Sequence, residues 1–253
     1  MIDFEKFNLN YRVSGNGYPV VFLHGFLESM SMWGYLEFPK EFQCVTVDLP
    51  GHGESDRLSN EDFSILDIAR ILKRQLSEMG IGDYALVGHS LGGYVGIELM
   101  KIDENCEKMV FLNSNFWSDN EQKKIDRQRI AKIVLRNKTS FIYEAIPHLF
   151  LDPTKFHDEV IGLINEAKSI SAQTISDYSI AMSHRKDNSE FVRKNSETIL
   201  AIQGREDAIV SCEKMNEYFT RFGFNYKELS PCGHMSHIEK KQEVEKALLD
   251  FLL

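Results

Sequence analysis

The chain has 253 residues, of which 43% are hydrophobic and 26% charged, and a formal net charge of -9. These are the values of a globular chain of a size that folds as one α/β domain, not of a disordered one. The acidic balance excludes the broad basic patches that nucleic acid or an anionic membrane would demand, and no apolar run reaches the roughly eighteen residues that would span a bilayer.

The opening stretch Met1-Ile2-Asp3-Phe4-Glu5-Lys6 has no basic region followed by an apolar one, so no secretory signal is expected. Residues Asp3 to Ser14 alternate as an antiparallel edge strand or hairpin does, and Gly15-Asn16-Gly17 supplies a turn. Val20-Val21-Phe22-Leu23, Cys44-Val45-Thr46-Val47 and Tyr84-Ala85-Leu86-Val87 are continuous apolar runs that suit strands covered on both faces. Between the last two, Ile65, Ile68, Ala69, Leu72, Leu76 and Met79 recur at helical spacing, which predicts a helix over Asp62 to Met79 stopped by Gly80. A second helix is predicted from Ser90 to about Ile102, then a strand at Lys108 to Leu112. Strands alternating with helices through short connections imply parallel βαβ units with right-handed crossovers.

After Asn113 the pattern changes. Helical periodicity holds over Glu121 to Arg136, Phe141 to Phe150, Phe156 to Ile170 and Ala172 to His184, with no clear strand. Strand logic resumes at Thr198 to Ile202, followed by a helix near Ser211 to Phe222, a strand at Tyr226 to Leu229 and a last helix from Lys241 to Leu253. The reading is an α/β core made of 1–113 and 196–253, interrupted by a helical insertion over 114–195 at one end of the sheet. The four cysteines Cys44, Cys106, Cys212 and Cys232 are far apart and form no C-x-x-C pair. They read as reduced, buried thiols of a cytoplasmic protein.

The sharpest local feature is Gly88-His89-Ser90-Leu91-Gly92-Gly93. It fits G-x-S-x-G directly after a predicted strand and opens a predicted helix, the context a nucleophile elbow requires. A serine hydroxyl is a weak nucleophile until a base takes its proton. Of eight histidines, His234 lies in the loop between the last strand and the last helix, which a parallel sheet delivers to the same edge as Ser90. Gly233 before it permits a bent loop. His237 falls at the start of the final helix, where its side chain would point elsewhere, so His234 is preferred. Asp207 in Gly204-Arg205-Glu206-Asp207 follows the strand at 198–202 and is the carboxylate expected to orient the base. Glu206 is read as turned to solvent. Two N–H groups are expected to receive an oxyanion, those of Leu91 and of Phe26 in His24-Gly25-Phe26.

His24 reads chiefly as a loop-shaping residue, and His89 as a packing or hydrogen-bonding neighbour of the nucleophile. The loop Asp48-Leu49-Pro50-Gly51-His52-Gly53-Glu54-Ser55 is tight and fixed. Motifs for zinc, nucleotide and dinucleotide binding are missing, so no metal or cofactor is expected. In the helical insertion, Phe141, Tyr143, Leu149, Phe150, Tyr178 and Met182 are candidates for an apolar substrate pocket, with His24 as a further candidate contact. Trp33 reads as core.

Taken together, His24-Gly25-Phe26, the Asp48 to Ser55 loop, the Ser90 elbow, Gly204 to Asp207 and Gly233-His234 resemble the α/β-hydrolase fold superfamily. Its order is also Ser, Asp, His. The resemblance covers the chain outside the helical insertion and implies a mostly parallel eight-stranded sheet flanked by helices, with a helical cap inserted after the sixth strand. His24-Gly25-Phe26-Leu27 and the Asp48 loop also resemble SHCHC synthase, a lyase of the menaquinone pathway on this fold. That enzyme typically carries an arginine shortly after the elbow, where this chain has Tyr94. Relatives often read Glu-Lys-Pro after the catalytic histidine, where this chain has Glu239-Lys240-Lys241.

The leading expectation is a serine esterase with catalytic residues Ser90, Asp207 and His234, acting on a small-molecule ester. Two alternatives remain: a C–C bond hydrolase or lyase on the same site, and a slow or non-catalytic ligand receptor on this scaffold.

Overall fold

The computed structural model describes residues 7–58 and 63–253. Among the described residues, seven strands form one sheet: β1 (Tyr11–Ser14), β2 (Tyr18–Leu23), β3 (Phe42–Val47), β4 (Tyr84–His89), β5 (Cys106–Leu112), β6 (Ile199–Gly204) and β7 (Asn225–Leu229). Their order is β1-β3-β2-β4-β5-β6-β7. Only β1 is antiparallel, pairing Tyr11 with Val47 of β3, and every other pair is parallel. The fold is the expected α/β layout, with seven described strands where the resemblance implied eight. The alternating N-terminus becomes an edge strand against β3, and its first residues, 3–6, lie outside the described residues, as does Asp62 at the start of the first predicted helix.

The continuous apolar runs are explained by the layers they face. Along β2, Val21 and Leu23 join a core with Leu86 of β4, Met109 of β5 and two helices, α1 (Ile65–Glu78) and α2 (Leu91–Ile102). Val20 and Phe22 point the other way, into a second core with Val87, Val110, Ile202 and Trp33. Period-two alternation therefore buries both faces, and no polar face is left to mark the strand. Helix α1 starts at Ile65 because Ser64 caps it: the Ser64 hydroxyl accepts from the Asp67 N–H while Asp67 accepts from the Ser64 N–H. Gly80, with φ +71°, ends it.

Between β5 and β6 stand four helices: α3 (Glu121–Ala145), α4 (His157–Ala167), α5 (Ala172–Ser183) and α6 (Ser189–Lys194). The two helices predicted over 121–136 and 141–150 are the two halves of α3, separated where the sequence broke them: at Asn137 φ -152° and ψ 72° leave the helical region, and the Asn137 side chain accepts from the Ser140 N–H at 3.1 Å, while the second half ends at Ala145 and not at Phe150. Pro147 then starts a separate 3₁₀ turn to Leu149. The short α6 has no strong periodic signal in the sequence. A third apolar cluster joins Val134, Ile142, Phe150, Leu163 and Ile175 of this block to Leu27 and Met235 of the loops below it. The chain closes with α7 (Cys212–Phe222), β7, α8 (Ser236–Glu239) and α9 (Lys241–Leu252). The four cysteines are buried and unpaired. Among the described residues, no helix is long and apolar enough to cross a membrane.

Candidate active site

Ser90 stands between β4 and α2 with φ +47° and ψ -111°. A non-glycine residue held there stores about 1–3 kcal/mol of strain. The flanking glycines make the turn possible. A Cβ on Gly88 would come within 2.5 Å of the Gly92 carbonyl, and one on Gly92 would strike the carbonyl of Leu23. β4, α2 and β2 thus approach at backbone distance, and Ser90 lines a cavity at the start of α2. The N–H of Leu91 belongs to the first turn of that helix, whose amides have no intrahelical acceptor.

His234 lines the same cavity. Its Nδ1–H donates to Oδ2 of Asp207 at 2.8 Å, the tautomer that in a neutral ring presents Nε2 as the acceptor. The Asp207 carboxylate is nearly buried and heavily solvated by the protein. Oδ2 also accepts from the Asn113 amide at 3.1 Å and the Gln203 amide at 2.8 Å. Oδ1 accepts from the N–H groups of Ile209 and Val210 at 2.8 and 3.0 Å. Burial alone would raise its pKa, yet His234 and these donors hold it down at about 2.

Asn113 and Gln203 were not singled out in the sequence. Asn113, with φ +45°, ends β5 and donates to Gly233 O at 3.0 Å as well. The available signal was an amide closing an apolar strand, and for Gln203 a polar side chain within one.

The loop carrying His234 is tied down on several sides. Its own N–H donates to Leu149 O at 2.8 Å. Glu206 is exposed, as expected, but its carboxylate is engaged: it accepts from the Cys232 N–H at 2.8 Å and the Ser230 hydroxyl at 3.0 Å. Glu239 accepts from the N–H groups of Gly233 and Leu151. It therefore braces the histidine loop against the helical block. His237 is fully buried in α8, with its ring against Trp33 and His89.

The cavity measures about 510 Å³, within the range of small-molecule sites. Phe26 lines it beside Leu27, which has φ +69°. Ile130, Phe141, Leu149 and Met182 supply apolar wall from above. Three candidate contacts from the sequence fall elsewhere. Tyr143 is half exposed and accepts from Lys168 on the surface. Phe150 is buried against Phe156 in the helical block. Tyr178 is fully buried, donates to Pro50 O at 3.0 Å and packs edge-on against His52 and Phe63. An amphipathic helix shows one periodicity whether its apolar face meets a core or a cavity, so the sequence could not separate these three from Phe141 and Met182.

His24 also makes no wall of the cavity. It is fully buried, its Nδ1–H donates to Gly25 O at 2.8 Å, and its Nε2 accepts from the Leu49 N–H at 2.9 Å. Both ring nitrogens are consumed in shaping the loop. Asp48 likewise spends its carboxylate on Met30, Glu54 and Asn10.

The chain is 26% identical over 250 residues to a protein of Haemophilus influenzae named as a candidate 2-succinyl-6-hydroxy-2,4-cyclohexadiene-1-carboxylate synthase, covering 92% of this chain and 97% of that protein. A thermophilic esterase from Thermogutta terrifontis, solved with malate bound, superposes with a TM-score of 0.89 at 25% identity, covering 96% of this chain and 92% of that one. An esterase from Exiguobacterium antarcticum shares the fold with a TM-score of 0.87 at 16% identity, covering 98% and 96%. The family model of the alpha/beta hydrolase fold matches residues 18–159, more than half of the sequence. With this sheet order and this elbow, the chain belongs to the α/β-hydrolase fold family.

Proposed function

We propose that the protein is a serine hydrolase that cleaves carboxylic esters of small or medium size through an acyl-enzyme on Ser90. The observation that carries this reading is that the strained Ser90 and the imidazole of His234 line one cavity, while Asp207 holds the far side of that imidazole. His234 Nε2 takes the hydroxyl proton as Ser90 Oγ bonds to the ester carbonyl carbon. The carbonyl electron pair moves onto oxygen, where the N–H groups of Phe26 and Leu91 receive it. Collapse of that intermediate breaks the C–O bond, and the imidazolium returns its proton to the departing alcohol. Water, deprotonated by His234, then releases the acid by the same route. Asp207 keeps the tautomer and stabilises the imidazolium. The helices over 114–195 act as a cap that sets the size of the acyl or alcohol group.

Turnover of p-nitrophenyl acetate and butyrate by wild type and Ser90→Ala tests the reading. Loss of the nucleophile is expected to lower kcat by about 10⁶-fold. Equal rates for the two proteins would end it.

A second reading, a lyase or C–C bond hydrolase on the same site, is favoured by the near full-length similarity to the Haemophilus influenzae protein. Against it, the position after the elbow is Tyr94, whose ring carries the Arg185 guanidinium at 4.1 Å. A pyruvyl-bearing substrate turned over faster than any ester would favour the lyase.

A further inference from the structure

Glu28 and His89 are each 1% exposed and line the same cavity as Ser90 and His234. His89 Nδ1 lies 2.9 Å from Glu28 Oε2, and His89 Nε2 lies 3.0 Å from the carbonyl oxygen of His234. Glu28 Oε2 also accepts the Gly25 N–H at 2.5 Å. A carbonyl oxygen and a carboxylate can only accept, so the ring satisfies both by carrying two protons.

We infer that Glu28 and His89 form a buried carboxylate–imidazolium pair that positions the proposed oxyanion loop against the elbow and the His234 loop. This inference rests on the proposed hydrolase reading and names residues that the mechanism above does not use.

The pair connects three segments. Glu28 belongs to the loop after β2, His89 ends β4 one residue before Ser90, and the carbonyl it grips is that of His234. Its effect on the oxyanion loop follows from peptide geometry. The N–H of Gly25 is held by Glu28, and the C=O of Gly25 accepts from His24 at 2.8 Å. That C=O shares a trans peptide plane with the N–H of Phe26, and the two point in opposite directions. Holding Gly25 at both ends therefore fixes where the Phe26 N–H is aimed.

The cradle is shaped for this purpose. A Cβ on Gly25 would run into Glu28 Oε2 and would meet His89 Nδ1 at 2.7 Å. The next residue but one, Leu27, sits at φ +69°. That conformation is strained for a branched aliphatic residue and persists only where neighbours over-determine it.

The charges around the pair are consistent with it. Burial alone would raise Glu28, but the His89 imidazolium holds it at about 2. Burial would lower His89, but Glu28 keeps it raised, with Asp207 adding to the effect. The other titratable groups facing the pair are His24, His52, His234, Glu166 and His237, the last with its ring edge-on to His89 at 5.1 Å.

The test is Glu28→Gln, assayed on p-nitrophenyl butyrate, with active sites counted by complete fluorophosphonate labelling. Loss of one aimed oxyanion donor is expected to lower kcat per labelled site by about 10²-fold, with KM within about threefold of wild type. A role confined to folding would reduce the number of labelled sites and leave kcat per site unchanged, which overturns the inference. Where Glu28→Gln does not fold, ¹⁵N NMR of the wild type decides. The His89 ring nitrogens, assigned by their loss in His89→Asn, are expected to remain both protonated at pH 7, above the ordinary imidazole value of 6.5. A neutral His89 ring at that pH overturns the inference. Wild type inert towards esters and the fluorophosphonate would instead sink the hydrolase reading, and the NMR result would still decide the pair.

Discussion

Asp207 and His234 meet at 2.8 Å through Oδ2 and Nδ1, and the same Oδ2 already accepts the amides of Asn113 and Gln203. Every lone-pair direction of this carboxylate is taken by a donor, including two backbone N–H groups on Oδ1. Asp207→Asn would turn an NH₂ group towards one of these sets, so donors would face donors. The variant is expected to lose about 10⁴-fold in kcat through the wrong imidazole tautomer. It is also expected to lose about 1–3 kcal/mol of unfolding free energy from unpaired buried groups. Ester turnover and urea unfolding of the same preparation measure both, and turnover within tenfold of wild type would contradict the role given to Asp207.

Asn113 joins the end of β5 to both partners of that contact. Its amide donates to Asp207 Oδ2 and to Gly233 O, and its oxygen accepts from the Ser236 hydroxyl. It does so at φ +45°, a conformation that asparagine tolerates better than alanine. Asn113→Ala is expected to cost about 2–4 kcal/mol of stability, combining backbone strain with buried groups left unpaired. Asn113→Gly removes the strain but not the loss of partners and should fall between. An alanine variant as stable as wild type in a urea titration would show that this asparagine holds nothing.

The core strands were legible because each apolar run is covered on both faces, and the elbow because its glycines answer a steric demand made within six consecutive residues. The edge at which Ser90, Asp207 and His234 gather followed from topology alone, since a parallel sheet delivers the loops after β4, β6 and β7 to one side. What the sequence could not carry was set by distant partners. Glu28 looks like a loop carboxylate until His89, 61 positions away, is folded against it. The choice between Phe141 and Tyr178 as cavity wall depends on which way a helix is rolled.

The buried histidines make a pH dependence of stability. Burial, assisted by His24 for His52 and by His89 for His237, holds each of these two rings at about 3 against an ordinary 6.5. They stay neutral in the folded chain, while the unfolded chain binds protons near pH 6.5. Unfolding therefore takes up protons between those limits, and stability falls as pH falls. Two such rings give a limiting slope of about 2.7 kcal/mol per pH unit, and His24, also lowered by burial, acts in the same direction. Asp207, at about 2 against 3.8, adds stability that is present above 3.8 and disappears towards pH 2. His89 works oppositely. Burial would lower it, Glu28 raises it, and its contribution is full below 6.5 and fades as pH rises through its folded value. Urea unfolding is expected to show greatest stability near neutrality and a steep fall from pH 6.5 to about pH 4.5. The fall should be shallower by about one proton in His237→Leu. A flat profile over that interval would refute the neutral, buried state of these rings.

The cavity wall gives the proposed esterase a size preference that mutation should move. Met182 and Phe141 face the cavity, whereas Tyr178, four positions before Met182, is turned into the core. Burying each added acyl methylene is worth about 0.8 kcal/mol, or roughly fourfold. The wild type is therefore expected to favour butyrate over acetate by about 15-fold in kcat/KM if both extra methylenes reach the wall. Met182→Trp fills that space and should drive the ratio towards one. Tyr178→Phe should leave the ratio unchanged and lower stability by about 1 kcal/mol, through loss of its hydrogen bond to Pro50 O. The comparison separates wall from core by function: a ratio that shifts as far with Tyr178→Phe as with Met182→Trp would mean that this cavity does not hold the acyl chain.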